Sequence, residues 1–174
     1  LQEMEERLLN ELQKAAESIP IEDAPIALDW FNGRRYPYVN EFVCSAVAGL
    51  NMGTDAPALY RALLTATALG QRRILDTLTQ EGVSPQKIVA VGGIAQKSSL
   101  LMQTLADALD RQINVSQTQQ ACARGAAMYA AVAAGIYPDI QAAQARMCEG
   151  IQQPYVPRRE MRASYEQVYA NYLR

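Results

Sequence analysis

The stretch KIVAVGGIAQKSSLLMQTLAD, at positions 87–107, places the strongest constraint on how this chain can fold. Positions 88–91 form a short run rich in β-branched residues, which is typical of a strand buried on both faces. Gly92 and Gly93 follow, and because glycine lacks a Cβ the backbone there can adopt positive φ and lie close to a ligand. After a short polar loop, one of the two serines at 98–99 can cap a helix with apolar residues at helical spacing.

Two interpretations of this strand, loop and helix remain open at this point. Ligands of open α/β sheets bind at the carboxyl ends of strands, and helix N-termini present free N–H groups to polar or anionic ligands. A glycine pair between a strand and a helix is equally often a plain tight turn.

Composition excludes several classes of function. A chain of 174 residues, 49% of them hydrophobic, can bury one core, so a single domain is the default. The net charge of −2 provides no basic surplus to neutralise phosphates, which argues against a nucleic-acid or anionic-membrane partner. With no histidine, Ser-His-Asp triads, Cys-His dyads and histidine-bearing zinc sites are excluded.

The same sequence predicts a soluble, cytoplasmic protein. No apolar run is long enough to cross a bilayer, and no signal peptide is visible. Three widely spaced cysteines suit a reducing compartment better than a disulfide framework.

The chain begins with an amphipathic pattern over residues 1–18, which predicts either a true N-terminal helix or a helix at which a longer chain was cut. Ile19 and Pro20 end it. We therefore divide the chain into an N-terminal helix and linker, residues 1–25, and a main part, residues 26–174.

Residues 26–37, IALDWFNGRRYP, contain an Asn-Gly pair that favours a tight turn and would present Asp29, Trp30, Arg34 and Arg35 on a rigid corner. One interpretation is a surface turn whose aromatic residues pack on the core. The other is a loop at the rim of a cleft, where an arginine could reach a carboxylate or a phosphate. Residues 38–53 are expected to be irregular.

A long helix is predicted over residues 54–81, capped by Thr54 or Asp55 and ended by Gly82. Its small residues, Gly70 among them, would allow another backbone or a flat ligand to approach closely. A second strand is expected at 113–116. An alanine-rich helix is predicted at 121–135, and two further helices at 139–148 and 161–173 complete the chain. The alanine-rich helix either packs flat on the sheet or leaves room at Gly125 beside a nucleotide.

Three blocks in this order resemble the C-terminal lobe of the FGGY carbohydrate kinases, relatives of actin: GLNMGTDAPALYRALLTATALGQRRIL, VAVGGIAQKSSLLMQTLADAL and ACARGAAMYAAVAAG. Within that family, ALDWFNGRR and the TDAP helix start are most similar to the L-ribulokinases. The resemblance implies a helix-rich α/β fold, part of an actin-like ATPase (ribonuclease H-like) C-terminal domain, with a short parallel strand pair packed by long helices.

The resemblance also implies a function and a set of site residues. The family transfers the γ-phosphate of ATP, with Mg²⁺, to a sugar hydroxyl, here L-ribulose in arabinose catabolism. It places a nucleotide, ATP or ADP, against six residues of this chain: Gly70, Gly92, Gly93, Gln96, Lys97 and Ser98. Many relatives carry an asparagine in this loop where the present chain has lysine and serine.

The family's N-terminal lobe, its general base, its Mg²⁺ ligands, most sugar contacts and three strands of the C-terminal sheet have no counterpart here. Since phosphoryl transfer depends on positioning by both walls of a cleft, we expect this chain alone to be inactive and to contain no catalytic residue. The missing strands would leave an open sheet edge and favour self-association. The alternative function is a non-catalytic helical interaction module with a purely structural Gly-Gly turn.

Overall fold

The computed structural model describes residues 2–118, 120–152 and 154–174, without the side chains at positions 2, 3, 5 and 6. The described residues form seven α-helices, four short β-strands and one 3-10 helix. The α-helices are α1 (Gln2–Glu17), α2 (Ala56–Gln80), α3 (Gly93–Lys97), α4 (Ser99–Leu109), α5 (Ala121–Ala133), α6 (Ile140–Met147) and α7 (Arg162–Tyr172). The strands are β1 (Ile26–Leu28), β2 (Ala46–Ala48), β3 (Ile88–Ala90) and β4 (Ile113–Val115), and the 3-10 helix is Arg159–Met161.

Helix α2 is the central element of the fold, and its ends follow from local sequence. The Asp55 carboxylate accepts a hydrogen bond of 2.9 Å from the Ala58 N–H, which satisfies one of the free donors of the first turn. Beyond the other end, Gly82 has φ +84°, a left-handed conformation that glycine adopts without strain. Between these ends α2 packs against α1, α4 and β1, so most of the domain is assembled around it.

Two small sheets flank this helix. Strands β3 and β4 are parallel, with Ile88 opposite Ile113 and Ala90 opposite Val115, as expected for strands joined by a helical crossover. Strands β1 and β2 are antiparallel, with Ile26 opposite Ala48. The parallel pair therefore lies at one side of α4, and the loop after β3 leads directly into α3.

The core has three parts, each of which joins different elements. Ile21, Leu69 and Tyr165 bring the segment after α1, the middle of α2 and helix α7 together. A second cluster packs α4 on the parallel strand pair, and a third packs β1 on α2. Burial of a side chain such as Leu69 contributes about 1.5–3 kcal/mol, so these clusters hold the long helices together.

Three local predictions were wrong. Strand β3 is not buried on both faces, since Val89 and the following Val91 are 43% and 58% exposed. The reason is that only β4 pairs with it among the described residues. The polar loop expected before α4 contains the short helix α3, and residues 38–53 contain β2 rather than irregular chain alone.

Other local predictions are confirmed. Asp55 and Ser98 are the N-caps of α2 and α4, and Gly82 follows the end of α2. The alanine-rich helix α5 forms as predicted but packs against α6.

The three cysteines are free and exposed. Within the residues that the structure describes, none of the helices has the length and apolar character needed to cross a bilayer.

Candidate functional site

The Gly-Gly loop forms an open surface at the carboxyl end of β3. Gly92 has φ +96°, a backbone conformation that side chains disfavour, and it directly precedes α3. A Cβ built at Gly92 or at Gly93 would meet no atom within 4 Å. The space above both glycines is therefore free for a ligand to lie against the backbone.

Gln96 and Ser98 hold this loop in place. The Gln96 Nε2 donates to the carbonyl oxygens of Ser116 and Thr118, both at 3.2 Å, and so ties α3 to the chain after β4. The Ser98 hydroxyl accepts from the Leu101 N–H at 3.3 Å and donates to the Gln13 Oε1 at 3.1 Å. These two side chains are engaged within the protein, and their first role is to position the glycines.

Lys97 is exposed at the end of α3, and its ammonium group makes no hydrogen bond or ion pair with any residue that the structure describes. It is the one cationic side chain of the predicted loop and is free to contact an anionic ligand. No carboxylate belongs to the loop from Gly92 to Ser98, so this set of residues does not fit a Mg²⁺ ion, which prefers oxygen ligands with carboxylates.

Gly70 is not brought together with the loop. It lies on α2, where a Cβ would approach the Asp29 carboxylate oxygens at 3.3 and 3.4 Å. The absence of a side chain at Gly70 therefore makes room for Asp29. The role of Gly70 in nucleotide binding remains a prediction.

Gly70 and Asp29 line a separate cavity of about 650 Å³, which we call the Asp29 cavity. It is bounded by the segment after β1, the second half of α2 and the C-terminal end of α7, and none of the loop residues 92–98 belongs to it. Its lining residues are Leu28, Asp29, Trp30, Gly33, Arg34, Arg35, Tyr36, Pro37, Tyr38, Gly70, Gln71, Arg73, Ile74, Tyr172, Leu173 and Arg174.

The Asn-Gly turn shapes one wall of this cavity. Gly33 has φ +72°, and the chain turns so that Arg34 and Asn40 exchange two backbone hydrogen bonds of 2.8 and 2.9 Å. The turn holds the Arg34 guanidinium over the rings of Trp30 and Tyr38, at 5.2 and 5.9 Å from their centroids. Of the two interpretations of this turn, the structure thus favours a loop at the rim of a cavity.

Burial controls the ionisation of two groups in the cavity. It raises the pKa of the Asp29 carboxyl above its usual value, although a hydrogen bond from its own backbone N–H opposes the shift. Burial, with the negative charge of Asp29, raises the pKa of Tyr172 to about 12, against the lowering effect of Arg34 and Arg73. Folding raises the pKa of the Asp29 carboxyl. The free energy of unfolding therefore decreases as the pH rises from the unfolded-state pKa of this group through its folded-state pKa.

Sequence reasoning identified Arg34 and Arg35 as cavity candidates but missed Arg73 and Tyr172. Arg73 lies on α2 and Tyr172 on α7, and the pattern of these helices indicates only which residues face the core. Their convergence on Asp29 depends on how α2 and α7 pack, and no local signal in the sequence carries that information.

Comparison with known sequences identifies the class of protein to which this fold belongs. Residues 2–134 match the model of the FGGY family of carbohydrate kinases, C-terminal domain. The chain belongs to this family, and the predicted helix-rich α/β fold with a parallel strand pair packed by long helices, part of an actin-like ATPase domain, is confirmed.

The curated relatives that the chain matches include several ribulokinases. It is 42% identical over 172 residues to the ribulokinase of Vibrio parahaemolyticus, covering 98% of this chain and 30% of that protein. It is 39% identical over 166 residues to the ribulokinase of Geobacillus thermodenitrificans, covering 93% of this chain and 29% of the relative. The chain therefore spans less than a third of the length of these relatives.

The solved structures that the chain matches include sugar and polyol kinases. The xylulose kinase of Rhodospirillum rubrum matches with a TM-score of 0.80 and 26% identity, covering 97% of this chain and 33% of that chain. The glycerol kinase of Plasmodium falciparum, solved with ADP, matches with a TM-score of 0.71 and 20% identity over 94% of this chain and 33% of that one. The second likeness shows the fold alone.

Proposed function

We propose that this chain forms the nucleotide-contacting wall of an ATP-dependent carbohydrate kinase whose substrate is L-ribulose, as the names of the ribulokinase relatives suggest. The observation that supports this role is the open backbone at Gly92 and Gly93. The hydrogen bond from Gln96 to the chain after β4 keeps this loop in position. In this proposal the two glycines contact the nucleotide and Lys97 lies near its phosphates. Gly70 is included only as predicted from the family resemblance.

Titration of the chain with ADP in a calorimeter tests this proposal. We expect weak, saturable binding that Gly93→Trp reduces by about tenfold or more, since an indole would fill the space that the nucleotide needs. Gly93 has no positive φ and its Cβ would meet open space, so the fold should tolerate the substitution. Ser84→Trp, at an exposed position before the opposite end of β3, is the matched control and should bind ADP normally.

An equal loss of ADP binding in both tryptophan variants would contradict a specific role for the Gly-Gly loop. Absence of binding to the unmodified chain would favour the alternative, a helical interaction module with a structural turn.

We further propose that the 174-residue chain alone does not catalyse phosphoryl transfer. Neither the loop nor the Asp29 cavity presents a general base together with a site for Mg²⁺, and one wall of a cleft cannot position both reactants. A coupled assay with ATP, Mg²⁺ and L-ribulose should show no turnover above the rate without protein. Turnover at an ordinary kinase rate of about 1–100 s⁻¹ would contradict this proposal.

A third proposal concerns self-association through β3. One edge of β4 is covered by bridges from Ser116 to Ile151 and from Ile113 to Tyr155, whereas the outer edge of β3 has no partner strand among the described residues. An exposed edge of this kind pairs readily with a second chain. Sedimentation should therefore show a dimer that dissociates in Val89→Lys but not in Val83→Lys, the control at an exposed position outside the strand. A monomer at high concentration would contradict the proposal.

A further inference from the structure

We infer that the Asp29 cavity binds a small phosphate ester that also carries hydroxyl groups, such as a sugar phosphate or a polyol phosphate. The cavity lies apart from the Gly-Gly loop, and the inference does not depend on kinase activity or on nucleotide binding by that loop. It depends on three features of the described residues: two arginines in the cavity lining, a carboxylate among the same lining residues, and a volume suited to a small molecule.

Arg34 and Arg73 both line the cavity, Arg34 from the Asn-Gly turn and Arg73 from α2. The Arg34 Nε donates to the Tyr38 carbonyl at 2.8 Å, and its guanidinium is held against the Trp30 ring, so its outer nitrogens have a defined position. The Arg73 guanidinium has no hydrogen-bond or ion-pair partner within the described part of the chain. Two guanidinium groups that line one cavity match a phosphate monoester, which carries a charge of about −1.5 to −2 at neutral pH.

The carboxylate of Asp29, in the same cavity, disfavours a simple anion. Asp29 is half-buried against Gly70, and the ion pairs of the described residues include none between its carboxylate and the cavity arginines. An ionised carboxylate only accepts hydrogen bonds and repels a bare phosphate. A ligand therefore has to offer hydroxyl donors to Asp29 while it presents its phosphate to Arg34 and Arg73.

The size of the cavity agrees with this chemistry. Its volume of about 650 Å³ lies within the range of small-molecule sites and greatly exceeds what a phosphate ion fills. Aromatic residues Trp30 and Tyr172 supply apolar surface for the carbon skeleton of a sugar, while the Tyr172 hydroxyl offers a further polar contact.

Trp30 provides the measurement, because it is the one tryptophan of the chain and lies in the cavity wall. We propose to titrate the chain with ribose 5-phosphate, with ribose and with inorganic phosphate, and to follow the tryptophan emission. Ribose 5-phosphate should give a saturable change, and each of the two partial ligands should bind at least about tenfold more weakly, since each lacks one set of charge-assisted hydrogen bonds.

Two variants separate the contribution of the arginines from that of the carboxylate. Arg73→Gln should weaken ribose 5-phosphate binding by about tenfold, whereas Arg146→Gln, the same change at an exposed position on α6, should leave it unchanged. Asp29→Asn should weaken binding of ribose 5-phosphate, because it removes the charged acceptor of the sugar hydroxyls. The same change should leave binding of inorganic phosphate equal or tighter, because it removes the repulsion between the carboxylate and the phosphate. Thermal unfolding checks that each variant is folded, and Asn at position 29 keeps the shape of the side chain.

Several outcomes would overturn the inference. Absence of a saturable change with ribose 5-phosphate, or equal affinity for inorganic phosphate, would show that no sugar phosphate is recognised. Unchanged binding in both Arg73→Gln and Asp29→Asn would place the ligand elsewhere. Loss of ADP binding in Arg73→Gln, with competition between ADP and ribose 5-phosphate, would make this cavity the nucleotide site instead.

Discussion

Replacement of Asp107 by asparagine is expected to lower the free energy of unfolding by about 3 kcal/mol, the largest effect of any single polar substitution that we predict. The Asp107 side chain is fully buried on α4 and accepts four hydrogen bonds. Three come from Arg158, through its backbone N–H at 2.8 Å, its Nε at 3.0 Å and its Nη2 at 2.7 Å. The fourth comes from the Gln103 Nε2 at 2.9 Å.

An asparagine at this position would turn N–H donors towards the Arg158 guanidinium and leave buried donors without acceptors. The Arg158 side chain is 43% exposed, so water can partly solvate its guanidinium. The loss of unfolding free energy should therefore lie at the lower end of the range for a broken buried ion pair. The contact joins α4 to the segment before α7, so the loss should affect the whole cooperative unit.

Urea unfolding followed by circular dichroism measures this effect, and Glu11→Gln is the matched control. Glu11 pairs with Lys14 at 3.3 Å, but both side chains are exposed, so its change to an amide should leave the midpoint unchanged. Similar midpoints for Asp107→Asn and Glu11→Gln would contradict the importance of the buried pair.

Replacement of Gly33 by alanine is expected to destabilise the chain by a similar amount, about 2–4 kcal/mol. Its φ of +72° disfavours any side chain, and a Cβ would lie 2.7 Å from the Glu41 Cα and 3.0 Å from the Asn40 carbonyl oxygen. These are backbone atoms, which cannot rotate away. The Asn-Gly turn would have to open, and the wall of the Asp29 cavity would be displaced with it.

Gly82→Ala is the control for this prediction, because Gly82 also has positive φ, +84°, but a Cβ there would meet no atom within 4 Å. It carries only the conformational cost of about 1 kcal/mol. The difference between the two thermal unfolding curves therefore measures the steric contact at Gly33. Equal destabilisation in both variants would show that the turn relaxes freely.

Much of the fold could be predicted from local sequence because its signals act over a few residues. Asp55 and Ser98 cap their helices through their own side chains, and Gly82 ends α2 through its own φ. The strand, Gly-Gly loop and helix order around Gly92 and Gly93 was predicted in the same way. The short helix α3 within it was missed, because five residues carry too little periodic pattern to indicate a helix.

Burial was harder to predict than secondary structure. The apolar run at 88–91 indicates a strand, but whether both faces are covered depends on neighbouring strands, and β3 has one such neighbour among the described residues. Arg61 shows the converse: this charged residue on α2 is only 3% exposed, and its Nη1 donates to the Thr104 hydroxyl of α4 at 3.2 Å. Side-chain type alone would have placed Arg61 at the surface.

The sequence by itself determined most of the elements, the family and the order of strand, Gly-Gly loop and helix, since caps, glycines and apolar spacing act locally. Only the tertiary structure decided that Gly70 accommodates Asp29, at a cavity distinct from the Gly-Gly loop, and that Arg34, Arg73 and Tyr172 converge there. These residues are separated by many positions along the chain. Their distances are set by the packing of α2, α7 and the Asn-Gly turn, which no local pattern encodes.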